Sequence, residues 1–128
     1  MDVDIQWFWL GRDKVCMSAM VCGHLLPSDF KEMLGRVGEA FVSATGPALV
    51  DLRQAQWDLA SEDFYGVVAA FAKTGLGIDH KVALVCGRDI DHFGQLIYIA
   101  SGMSNRGFKV RAFYDFDAAV KWLAALGE

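Results

Sequence analysis

Three features of the 128-residue sequence predict a mixed, mostly parallel α/β sheet led by an N-terminal antiparallel hairpin. Apolar and polar residues alternate through the opening segment with the period of a strand. The period then changes to that of a helix, and short wholly apolar runs recur between amphipathic stretches. Strands joined through helices run parallel by right-handed crossovers, so the element order reads β-β-α-β-α-β-α-β-α across one domain, residues 1–128.

The elements follow in order. Val3, Ile5, Trp7 and Trp9 share one face of the first strand, with Asp4, Gln6 and Phe8 on the other. Leu10-Gly11-Arg12-Asp13 reads as a turn, and Val15, Met17, Ala19 and Val21 line one face of the second strand. Phe30, Met33, Leu34, Val37, Ala40 and Phe41 carry the spacing of a core-facing helix, with Ser28 as its expected cap. Gly46-Pro47 closes the connection to a buried strand, Ala48-Leu49-Val50-Asp51-Leu52. Ser61 is expected to cap a second helix with the stripe Phe64, Val67, Val68 and Phe71, ended by Gly75. Lys81 to Cys86 forms the next strand. Asp89 then opens a helix with Phe93, Leu96, Ile97 and Ala100 turned inward. Phe108 to Tyr114 is the last strand, and Phe116, Ala119, Val120 and Leu123 mark the final helix.

Composition excludes several classes of function. Apolar residues make up 54% of the chain and mean hydropathy is +0.26, yet no run approaches the roughly 20 residues of a membrane span. Such apolar content suits a sheet covered on both faces, an apolar pocket or a subunit interface. A net charge of −4 and a pI near 5.3, with no Lys/Arg run, argue against capture of nucleic acid or anionic membranes. The start Met1-Asp2-Val3-Asp4 is acidic where a signal peptide is basic, which points to the cytoplasm. Cys16, Cys22 and Cys86 read as buried thiols of a reduced compartment, and no Cys or His spacing suggests a metal. No cofactor is expected.

Three segments carry a family likeness: Pro47 to Arg53 (PALVDLR), Lys81 to Arg88 (KVALVCGR) and Phe113 to Leu123 (FYDFDAAVKWL). With the element order, they make the chain resemble the STAS domain family in its compact bacterial branch. That fold is shared by anti-sigma-factor antagonists and the cytoplasmic domains of sulfate transporters. The resemblance spans nearly the whole chain and implies the fold rather than an activity. It also implies a regulatory serine at the start of the helix after the central strand, where this chain has Ser61. The family's doubled serine and glycine are missing there, and Glu62 and Asp63 would repel a phosphate, so a helix cap is the favoured role over a phosphosite.

Ligands of open α/β sheets gather at the carboxyl ends of the parallel strands. That edge should hold Arg53, Trp57, Arg88, Asp89 and His92. Two arginines near helix N-termini could hold an anion, or pair with neighbouring acids such as Asp58, Asp89 and Asp91. Trp57 could anchor a protein partner. His92 with Cys86 could form a catalytic pair, but strand-end cysteines and first-turn histidines are ordinary, so no catalytic residue is assigned. Gly75-Leu76-Gly77 follows a helix rather than a strand and is a cap, not a nucleotide loop. The reading is therefore a non-enzymatic regulatory or binding module for a protein partner, with a homodimer through the first hairpin suggested by Trp7 and Trp9. The alternative is a carrier of a small molecule or lipid in an apolar pocket between sheet and helices.

Overall fold

The computed structural model describes residues 1–11, 14–41 and 46–125, so Arg12 and Asp13 of the expected first turn lie outside the described residues. The strands are β1 (Asp2–Leu10), β2 (Lys14–Leu25), β3 (Ala48–Trp57), β4 (Val82–Val85) and β5 (Val110–Phe113). The helices are α1 (Pro27–Phe41), α2 (Phe64–Thr74), α3 (Ile90–Ser104) and α4 (Phe116–Ala124), with a short 3-10 turn at Ser61–Asp63 before α2. The sheet runs in the order β1-β2-β3-β4-β5. Its first pair is antiparallel and the others parallel, as the element order predicts.

Two apolar layers sandwich the sheet. On one face Met17, Ala19, Val21, Val50, Leu84 and Val110 meet the inward stripes of α1, α2 and α3. On the other, Leu10, Cys16, Leu49, Ala83 and Val85 meet Ala119 and Leu123 of α4. Strands covered on both faces read as continuous apolar runs, which is why β4 appears in the sequence as an unbroken Val-Ala-Leu-Val. Two lysines secure α4 from below. Lys81 Nζ donates to the carbonyl oxygens of Trp122 (2.7 Å) and Ala125 (3.0 Å), and Lys14 Nζ donates to that of Leu123 (3.2 Å). Cations belong at that end of a helix, where carbonyls run out of amide partners.

The helix starts differ from expectation in two places. α1 begins at Pro27, which has no N–H to lose, and the Asp29 carboxylate accepts from the Leu26 N–H at 2.9 Å, leaving Ser28 inside the first turn. Before α2, the Asp63 carboxylate accepts from the Ala60 N–H at 2.8 Å, so a carboxylate rather than the Ser61 hydroxyl closes that turn. The other expected caps are present. Asp89 accepts from the N–H groups of Asp91 and His92, and Gly75 ends α2 at φ 75°.

β3 runs five residues beyond the apolar segment and contains a bulge. Met20 of β2 pairs with Asp51, but Cys22 pairs with Gln54, so one extra residue enters β3 between them. The insertion reverses the alternation. Leu52 and, past the bulge, Ala55 and Trp57 all reach the face covered by α1–α3.

Candidate functional site

The five residues expected at the carboxyl edge fall into three separate groups. In the first, Arg53 forms a bidentate pair with Asp51, Nε to Oδ1 at 2.9 Å and Nη2 to Oδ2 at 2.8 Å. Asp51 is 2% exposed, and the Arg53 backbone N–H donates to it as well. The guanidinium lies 4.5 Å from the centroid of the Phe116 ring at the start of α4. Hydrogen bonding to Asp51 pushes the guanidinium's pKa further up, against a smaller opposing effect of partial burial. The expected acids Asp58, Asp89 and Asp91 are not its partners. A fork engaged in this way satisfies a buried carboxylate and holds α4 to the sheet.

The second group is internal. Trp57 is 3% exposed because the bulge turns it under α1, where its ring meets the edge of Phe30 at 5.7 Å. His92 stacks on it at 4.2 Å, and His92 Nε2 lies 3.0 Å from the Trp57 carbonyl oxygen. A carbonyl only accepts, so this contact selects the tautomer with the proton on Nε2. Trp57 thus offers no exposed ring to a partner, and His92 is held by the core. Cys86, next to this group in sequence, is fully buried, and burial pushes its thiol up to about 11. That is the wrong direction for a nucleophilic thiolate.

The third group opens to solvent. Arg88 and Asp89, from the turn after β4, line a cleft of about 300 Å³ with Ile90, Phe93 and Tyr114. Ile90 is 82% exposed and Tyr114 50% exposed, and Phe93 meets Tyr114 edge-on at 4.9 Å. Arg88 has no ion-pair partner among the described residues. The Asp89 carboxylate is engaged as the cap of α3, and those hydrogen bonds, from His92 first and then Asp91, hold its pKa below the usual 3.8. The cleft therefore presents an apolar floor, one free cation at its rim and a helix N-terminus already satisfied.

The sequence placed Arg88 and Asp89 at this edge but missed Ile90, Phe93 and Tyr114 as its walls. Of the four residues expected inward, Leu96 and Ala100 are buried and Phe93 is half-buried against the core, but Ile97 is 44% exposed. A helix apolar around most of its circumference gives no clear phase. The signal available was the surplus itself: Ile90, Phe93 and Ile97 form a second stripe beside the buried one. Ser61, in the first turn before α2, is exposed and belongs to none of the three groups.

A hairpin-led sheet with three helices on one face and one on the other is a STAS-like fold. A solved structure shares it: an uncharacterized protein of the DUF3478 family with a SpoIIAA-like fold from Shewanella loihica PV-4. It is 18% identical, with 94% of this chain and 93% of that chain covered at a TM-score of 0.52. No protein-family model and no curated protein matches the chain significantly. Among the described residues, no helix is long and apolar enough to cross a membrane.

Proposed function

We propose that the chain is a non-catalytic binding module that captures a protein partner at the cleft lined by Arg88, Asp89, Ile90, Phe93 and Tyr114. The exposure of Ile90 and Tyr114 around that apolar cleft carries the reading. Large side chains left open beside an arginine are the composition of a protein-binding hot spot, in which aromatic and arginine anchors dominate. The location agrees, since the cleft lies outside the carboxyl ends of β4 and β5. The burial of Cys86 and the stacking of His92 on Trp57 support a role without covalent chemistry. The carrier alternative has less support, because the space between sheet and helices is filled by Phe30, Trp57, Phe71, Leu96 and Met103, each at most 3% exposed. Affinity capture with the wild type and with Ile90→Asp/Tyr114→Asp tests the reading. One protein retained stoichiometrically by the wild type and lost by the variant supports it. A small-molecule mass released on denaturation in native mass spectrometry, with no protein retained, favours the carrier.

Self-association through the hairpin is a second reading, favoured by Trp7 and Trp9, which stand 51% and 66% exposed on β1. Val3 and Ile5 on the same strand face pack against the core, whereas the two indoles extend past it. Sedimentation velocity across micromolar concentrations reads this directly.

A further inference from the structure

The sheet has two free edges, β1 and β5, and their chemistry is complementary. We propose that β1 of one copy adds to β5 of another, head to tail, to continue the sheet. The proposal rests on the self-association reading and specifies its geometry.

The backbone gives the first argument. The Met17 N–H donates across to Pro47 O at 3.1 Å, so the odd residues of β2 bond toward β3 and its even residues toward β1. Those even residues pair with Asp4, Gln6 and Phe8, which leaves the amides of Val3, Ile5, Trp7 and Trp9 directed outward. At the far edge, Lys109 O and Phe113 O accept from the Val82 and Cys86 N–H groups at 2.8 and 2.9 Å. Val110 and Ala112 therefore direct their amide N–H groups outward, and of the outward carbonyls that of Val110 also accepts from the Ser104 hydroxyl at 3.2 Å. These outward residues also share a sheet face: Val3 and Ile5 pack with the α1–α3 layer, and so do Val110 and Ala112. Residues opposite one another in an antiparallel pair must agree in both respects, and β1 against β5 meets both conditions.

Side chains supply the second argument. On the α4 face, β1 presents Asp2 and Asp4, while β5 presents Lys109 and Arg111, with Asp4 and Arg111 both exposed. On the helix face, pairing Asp4 with Arg111 sets Val3 and Ile5 across from Ala112 and Val110, beside an open groove of about 330 Å³ whose lining is mixed, Phe93, Ile97 and Ala100 with Ser101, Ser104 and Arg111. Opposite charge thus meets opposite charge on the α4 face, and apolar residues oppose apolar residues on the other. Pairing β5 with β5 would instead set Lys109 and Arg111 beside their own counterparts, and pairing β1 with β1 would leave Asp2 and Asp4 with no cation opposite. Short charged edges ordinarily discourage pairing. That role does not require the two edges to carry opposite charges, as these do.

A charge-exchange series tests the proposal by sedimentation velocity, with circular dichroism confirming that each variant is folded. Asp4→Arg alone and Arg111→Asp alone should each weaken self-association about tenfold or more, the scale of a charge pair turned to repulsion. Mixing the two variants, or combining both substitutions in one chain, should restore it. A wild type that stays monomeric throughout overturns both the proposal and the self-association reading. A wild type that associates while Arg111→Asp associates equally well overturns only the head-to-tail geometry and leaves a symmetric hairpin dimer. Single variants that weaken association without restoration on mixing also overturn the direct β1–β5 pairing.

Discussion

Replacing Lys81 by methionine keeps a long stem in the packing and removes the ammonium that ties α4 to the sheet. Lys81 is 7% exposed, donates to the carbonyl oxygens of Trp122 and Ala125 at 2.7 and 3.0 Å, and lies 5.1 Å from the centroid of the Trp122 ring. Two hydrogen bonds from a charged donor contribute about 3–6 kcal/mol together. Desolvating the ammonium on folding takes back roughly half of that. The expected net loss is therefore about 2–3 kcal/mol, which at a typical urea dependence moves the unfolding midpoint down by about 1–2 M. Lys14→Met, which removes one bond at 3.2 Å from a half-buried position, should lose only about 0.5–1 kcal/mol. Urea unfolding followed by tryptophan fluorescence measures both, since Trp122 reports on α4 itself. If Lys81→Met remains within about 0.5 kcal/mol of the wild type, α4 is held by its apolar packing and by Arg53 and Lys14 rather than by the Lys81 ammonium.

Two further predictions concern ionisable groups. The Asp89 pKa is depressed below 3.8 in the folded chain, so its contribution to stability is complete above that value and is lost as pH falls through the lower folded one. Asp89→Asn keeps an acceptor oxygen but cannot ionise, so the advantage of the wild type over this variant should shrink between about pH 5 and about pH 2, and a constant difference would contradict the cap. Burial raises the thiols of Cys16 and Cys86 to about 12 and about 11, and Cys22 is half-buried. Alkylation near pH 8 should therefore modify Cys22 in the native protein and reach the other two only in denaturant. Rapid native labelling of Cys86 would reopen a catalytic role for it.

The fold was legible because burial on both faces writes itself into composition. β4 is a continuous hydrophobic run and the first half of β3 is one broken only by Asp51, and Asp89 and Gly75 are local signals that tertiary packing did not override. α1 starts two residues before the position a Ser28 cap implies, because a proline at the first helical position is as good a start signal as the serine beside it. The site was harder to read for a specific reason. Pairing register decides where Trp57 points, and one extra residue in β3 moves it from an edge loop into the core. No local pattern in Arg53-Gln54-Ala55-Gln56 announces that bulge. Arg53 could not be assigned its partner either, because Asp51 reads as a lone polar residue in an apolar strand until Phe116 is brought beside the pair. The cleft walls were hidden by an α3 whose apolar residues encircle most of the helix.

The proposed function places a partner where Ile90, Phe93 and Tyr114 open beside Arg88. Its most direct test replaces single residues by a photoreactive benzophenone amino acid in living cells, at Tyr114 in the cleft, Trp9 on the hairpin and Tyr65 on α2, which is 77% exposed. A discrete adduct with one other protein is expected from position 114, and none with that protein from position 65. Adducts of that protein arising equally from all three positions, or no adduct from position 114, would contradict it.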